Sequence, residues 1–381
     1  MASVLSPPSE ALSPRATFRS RALAASRFCA LALVLALPLL GLAIWAHQEG
    51  FASPTLQYVE HRAHEVTAAP GLSHLDYVYP PLPVLLSLIL PGGPFGLAIV
   101  TCLFSGAMLA FLVRRITFSR GLIVLLPLVA VPAMWYTASN LLPSVVALTF
   151  LAVALQGFIR FATEGETYGG FIAGLALAVS YSADPSALVY AGVMCAAVPL
   201  ISATRYHGDP QAPIGVGAVL VFPCVAAAAC WSFLLWKFSG NWPGSLSYSV
   251  NADVLGFPYG ILGGLGHAVT ATLTDLARSV LFVVALVLVA TRRHAPAFSA
   301  ALLLPVAALA LALWLGFDYS PVTAYFLFTL LAITVIVQFS LMDDRIAWWV
   351  LVAAVVVQVI VAIAWAPTSA GYLQWWHLLT R

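Results

Sequence analysis

Stretches of apolar sequence long enough to cross a bilayer recur from one end of this chain to the other. They lie near residues 29–46, 94–113, 121–136, 142–159, 168–182, 186–203, 213–236, 272–291, 296–316, 321–341 and 346–366. A helix needs roughly 20 apolar residues to cross the hydrocarbon core, and in lipid its backbone groups must be satisfied within the segment. About eleven such runs therefore predict an all-α, polytopic bundle of transmembrane helices. The composition agrees, because 62% of the 381 residues are hydrophobic and only 8% charged, more apolar surface than a soluble domain can hide from water. The membrane lipid is thus the first expected partner.

The first run, Cys29 to Ala46, follows arginines and precedes a polar stretch, as the core of a secretory signal would. It exceeds the roughly 7–15 apolar residues of such a core, and many further runs follow it, so it is read as a retained span. The fifth and sixth runs are one apolar stretch interrupted by Asp184-Pro185, where proline removes a backbone donor and disfavours helix in the residue before it. A tight outer turn is expected there.

The formal charge is only +2, and the basic residues are scattered through loops, so no nucleic-acid partner is expected. Their distribution instead orients the chain. With the N-terminus in the cytoplasm, 12 of the 16 lysines and arginines fall on the cytoplasmic side, among them Arg27, Arg114, Arg115, Arg160, Arg292, Arg293 and Arg345. Arg62, Lys237, Arg278 and Arg381 fall outside or near the outer boundary, which is the positive-inside asymmetry. The resulting division is a cytoplasmic segment 1–28, a bundle 29–366 with outer loops at 47–79 and 238–267, and an outer tail 367–381. This is the layout of a multi-pass cell-membrane protein. The five cysteines all sit in apolar runs without CxxC spacing and read as buried small hydrophobes, not as a disulfide framework or zinc site. No cofactor is expected, and the residues leave dependence on a divalent metal and the oligomeric state open.

Long loops carry function more often than short connections, and both long loops are placed outside. The first holds Tyr58, Glu60, His61, Arg62, His64, Glu65, His74 and Asp76, then runs through Tyr77-Val78-Tyr79-Pro80-Pro81-Leu82-Pro83 into a short apolar segment. A carboxylate at the interface can act as a general base, and arginine or histidine can hold a phosphate, so the loop has the residue types for transfer from a lipid-phosphate donor. The same composition also describes an ordinary solvated loop with aromatic rings at headgroup depth. Likewise, the prolines of 77–83 either build a rigid rim or simply begin a helix.

The layout resembles the polytopic glycosyltransferases of the GT-C superfamily. Those proteins place a long outer loop after the first span, with an acidic residue near its start, a tyrosine shortly afterwards and a Tyr-Pro-Pro-Leu element at re-entry. Tyr58 and Tyr79-Pro80-Pro81-Leu82 fit, and Ala173-Gly174-Leu175-Ala176-Leu177-Ala178 followed by Asp184-Pro185 is similar to the superfamily's glycine-leucine helix before a polar-residue–proline turn. Two features depart from it: Ser53-Pro54-Thr55-Leu56-Gln57 lacks the usual aspartate, and Asp184 replaces a basic residue.

The resemblance implies sugar transfer from a polyprenyl-phosphate donor to an acceptor hydroxyl on the outer face. Glu60 or Asp76 then stands in as the base, with Glu49 and Glu65 behind them. Tyr58, Tyr79 and Asp184 would contact substrate, and His61, Arg62, His64, His74, Lys237 or Arg278 would neutralise the departing phosphate. Lys237 and Arg62 could equally snorkel, and Arg278 could pair with Asp275. A transporter or flippase, and a catalytically inactive scaffold subunit with the same architecture, are the other readings of such a chain.

Overall fold

A computed structural model describes residues 14–68, 71, 78, 80–116, 119–164, 167–205, 212–240, 261–291, 295–315, 317 and 320–381. Among them every regular element is helical. In chain order these are α1 (Pro14–Gln48), α2 (Pro54–Ala68), α3 (Pro81–Ile89), α4 (Gly93–Arg115), α5 (Leu126–Ala130), α6 (Pro132–Asn140), α7 (Leu142–Glu164) and α8 (Thr167–Ala183). There follow α9 (Ala187–Arg205), α10 (Ala212–Ser239), α11 (Ile261–Arg278), α12 (Val280–Thr291), α13 (Ala295–Trp314), α14 (Pro321–Gln338), α15 (Arg345–Ala364) and α16 (Ala370–Leu379).

Among the described residues six helices, α1, α4, α7, α10, α14 and α15, contain segments long and apolar enough to cross a membrane. Two of the predicted spans are broken. The run at 121–136 bends by 78° where Pro132 opens α6, and the run at 272–291 bends by 84° between α11 and α12, so the number rises to eight if each bent pair counts once. Three further runs fall on shorter apolar segments, Tyr168–Ala183, Ala187–Ala197 and Leu303–Trp314. The count of helices that meet the requirement is thus six to eight, against the eleven read from hydropathy. A hydropathy window sums over a bend without registering it.

The bundle is layered by exposure. In α7 and α14, 83% of the apolar window is buried, whereas in α1 only 17% and in α10 only 22% are buried. In α14 each residue from Val322 to Ile336 is buried, so this helix is the centre of the bundle. The peripheral helices turn Leu33, Leu37, Phe222, Ile360 and Ile363 outward, an apolar exterior suited to lipid.

Hydrophobicity alone does not drive helices together in lipid, so small residues and interhelical hydrogen bonds carry the packing. A Cβ on Gly106 of α4 would strike the α1 backbone at Ala32 and Ala36. Gly157 and Gly169 each sit against the other's carbonyl where α7 crosses α8, and Gly174 sits against the carbonyl of Leu220 in α10. Ser105 donates to the Ala138 carbonyl at 2.8 Å and Ser180 to the Ala147 carbonyl at 2.8 Å. Each such bond contributes about 0.6–2 kcal/mol.

Deeper in the bundle, Gln358 satisfies the broken helix. Its Oε1 accepts from the Leu281 N–H at 2.8 Å, one of the donors that the start of α12 leaves without an intrahelical partner, while its Nε2 donates to Thr329 Oγ1 at 2.9 Å and Tyr325 Oη at 3.2 Å. The cysteines are all free; Cys102 and Cys224 are buried as expected, but Cys29 and Cys230 are exposed on the apolar exterior.

The two ends of the bundle differ. At one, the Arg114 guanidinium lies 5.8 Å from the Phe28 ring centroid, Arg115 lies close enough to Arg160 to repel it, and Gly121 approaches Met342, three residues before Arg345. At the other end are α2, α3, the start of α4, the α6–α7 junction and α16, which lays Tyr372 and Trp375 on Tyr136 at 5.8 and 5.9 Å.

Candidate functional site

The region 47–79, read from sequence as a loop, contains a helix. Pro54 begins α2, a position where its missing N–H is no loss. Leu56, Val59 and Ala63, spaced for one face of a helix, are buried in a cluster with Val84 of α3, Leu97 and Ala98 of α4 and Leu142 of α7. The polar composition concealed this element, and its only local signal was that three-residue apolar stripe. The prolines at 80–81 begin a helix: Pro80 caps α3 and Pro81 is its first residue. At nine residues, about 13 Å, α3 is too short to cross a membrane.

The stripe decides where the remaining α2 side chains go. Gln57, Glu60, His61, His64 and Thr67 project from a second face into an open cavity of about 540 Å³, closed on its far side by Ser87, Leu88 and Gly93. Glu60 is half-buried, and its carboxylate lies against Gly93, the first residue of α4, so that a Cβ there would collide with Oε1. Gly93 has φ +57, and no side chain caps this helix end. The carboxylate therefore stands at the positive end of the α4 dipole. His61, largely exposed, makes a 3.3 Å contact through Nε2 with the Glu65 carboxylate one turn on.

The other predicted site residues separate from this group. Tyr58 and Arg62 lie on the opposite side of α2, where the guanidinium is buried and sits 5.8 Å from the Tyr58 ring centroid. Arg278 is engaged by Asp275 at 2.9 Å and by the face of Trp365 at 4.4 Å, among α11 and α15. The pairing one turn apart is the structural alternative that the sequence offered for it. Lys237 is exposed in the last turn of α10. His74, Asp76 and Tyr79 lie outside the described residues, as does most of the loop 238–267.

Asp184 occupies the expected turn between α8 and α9, buried, with Oδ1 accepting from the Ser186 N–H at 2.9 Å. Burial pushes its carboxyl above the ordinary aspartate range, opposed by the Ser186 hydrogen bonds. This is an Asx-type turn closing two helices. Gly174, part of the glycine-leucine stretch, serves a close helix crossing.

A second cavity, about 250 Å³, adjoins the start of α4 and holds residues that sequence reasoning passed over, namely His47, Ser53 and Asn140. Nothing local marks them, because they come from three separate elements. Among the described residues no group of three or more His, Cys, Asp or Glu side chains is placed to hold a metal ion. The fold is that of a helical membrane bundle. No protein-family model, no curated protein and no solved structure matches this chain.

Proposed function

We propose that this chain is an eleven-span, GT-C-like glycosyltransferase of the cell membrane that uses a polyprenyl-phosphate sugar on the outer face, with Glu60 as its general base. The observation carrying the proposal is the convergence of Glu60, His61 and His64, with Gln57 and Thr67, on one cavity at the end of the bundle. In the reaction, the acceptor hydroxyl gives its proton to the Glu60 carboxylate as its oxygen bonds to the anomeric carbon. The bond from that carbon to the phosphate oxygen breaks, and the electron pair leaves with the phosphate, whose charge His61 and His64 offset.

The span number rests on parity. The first helix starts at the arginine-rich end, near Phe28 and Arg114, whereas α16 packs at the α2 end. An odd number of crossings connects opposite ends, and the six long helices, two bent pairs and three shorter segments together make an odd set. Gathering of Arg114, Arg115 and Arg160 at the opposite end supports placing that end in the cytoplasm.

The deciding experiment is transfer from a radiolabelled polyprenyl-phosphate sugar by the purified protein in proteoliposomes, with Glu60→Gln beside it. Transfer by the parent and its loss in the folded variant are expected. A folded parent protein inert toward a panel of such donors would instead leave a non-catalytic scaffold.

A further inference from the structure

A third cavity, about 360 Å³, lies where the broken span Gly121–Ala130 and Pro132–Asn140 turns between α5 and α6. Leu39 and Leu42 of α1, Met108 of α4, and Val129, Met134 and Ala138 from the two arms of the break line it. The break is satisfied from within the protein. The bend of 78° interrupts the helical ladder, and the Trp135 indole N–H donates to the Val129 carbonyl at 2.7 Å. Among the described residues lining the cavity, Trp135 has the only side chain with a nitrogen or oxygen, so that bond leaves the walls with no free hydrogen-bonding side chain.

The cavity runs inward from the lipid-facing surface. Val129 at its mouth is 54% exposed, whereas Phe326 of α14, the central helix, is 1% exposed at its inner wall. Water gains nothing there, because a buried water needs roughly 2–4 polar partners. An empty slot would leave its walls without dispersion contacts on one side. A further helix does not fit, since a single turn, about 10–12 Å across and about 5.4 Å long, needs more room than the whole cavity offers. An unbranched hydrocarbon chain meets each of these constraints. Two of the protein's five methionines, Met108 and Met134, give it walls that adapt to a flexible occupant.

We infer that this cavity holds one acyl chain of a bilayer lipid as a structural component of the fold, lodged between α1, α4 and the two arms of the broken span. No charged side chain is among the described residues that line it, so selection rests on the hydrocarbon, and any diacyl lipid serves, with or without a phosphate. The occupant is a part of the bilayer and not a substrate, and its presence is independent of Glu60 and of sugar transfer.

The test uses the full-length protein in nanodiscs of phosphatidylcholine that contain a phosphatidylcholine with a diazirine on its acyl chain. A diacylglycerol bearing the same chain is the phosphate-free probe. Samples are irradiated before and after extensive washing in lipid-free detergent, and adducts are mapped by mass spectrometry. Ile360 and Ile363, on the outward face of α15, report ordinary lipid contact. Washing should lower the label at these two residues by roughly tenfold or more, while the label between Val129 and Ala138 persists with both probes. Ala138→Leu, which fills the inner part of the slot, should lower the wash-resistant label by roughly tenfold, because the chain loses its contacts there. Val129→Trp closes the mouth and serves the same purpose if the buried substitution prevents folding. The assignment is overturned if the slot label washes away with that on α15, is unchanged in the folded slot variant, or persists only with the phosphate-bearing probe.

Discussion

The Glu60 carboxylate lies so close to the α-carbon of Gly93 that any side chain at residue 93 would overlap one of its oxygens; the Glu60 Cδ would be 3.1 Å from the new Cβ. A residue on the amphipathic helix is thereby positioned by the absence of a side chain on the next long helix. Gly93→Ala should displace Glu60 and lower transfer by roughly tenfold or more, with destabilisation of only about 1 kcal/mol from the left-handed backbone. The double variant Glu60→Gln, Gly93→Ala should be no less active than Glu60→Gln alone. Additive losses would show that Gly93 acts by another route.

Gln358 offers a test of the broken helix. Gln358→Leu keeps much of the volume but leaves the Leu281 N–H and the Tyr325 and Thr329 hydroxyls without its amide, which should destabilise the protein by about 1–3 kcal/mol. Thermal unfolding in detergent measures this. An unchanged midpoint would mean that the bend is held by packing alone.

The glycines divide into two groups with opposite expectations. Gly157→Val or Gly169→Val should force α7 and α8 apart, lowering the folded yield and destabilising the protein by about 1–3 kcal/mol or more. Gly41 and Gly192 have open space around a Cβ, so alanine there should be neutral or stabilise by up to about 1 kcal/mol through helix propensity. Fluorescence-detected size exclusion of heated samples separates the two groups.

Asp184 makes stability depend on pH. Its carboxyl is raised in the folded state, so the native protein binds the proton more tightly than the unfolded chain, and stability falls as pH rises from the ordinary aspartate range through the folded value. Asp184→Asn keeps an oxygen to accept from the Ser186 N–H and removes the titration. Unfolding midpoints between about pH 4 and 8 should slope downward in the parent and flatten in the variant. Parallel slopes would assign the dependence to other groups.

Orientation is open to cysteine labelling in a cysteine-free background. Thr67→Cys, exposed on α2, should react with an impermeant reagent in intact cells, and Ser26→Cys, exposed near the start of α1, only after permeabilisation. The reverse pattern would invert the protein in the membrane.

The sequence by itself determined the all-helical membrane class and where its long apolar helices lie, because burial in lipid is set residue by residue by hydrocarbon character and the hydrogen bonds of a helix are local. The turn at Asp184-Pro185 was legible for the same reason: proline acts on its own backbone and on its immediate neighbour. Tertiary structure alone decided the bends before α6 and α12. The second bend leaves a backbone donor whose partner, Gln358, is 77 residues away, and no window of sequence contains both. It also divided the charged cluster of 58–65. The apolar stripe Leu56, Val59 and Ala63 required a surface on α3, α4 and α7 before α2 could fix its rotation, and that rotation sends Glu60, His61 and His64 into a cavity while turning Arg62 away.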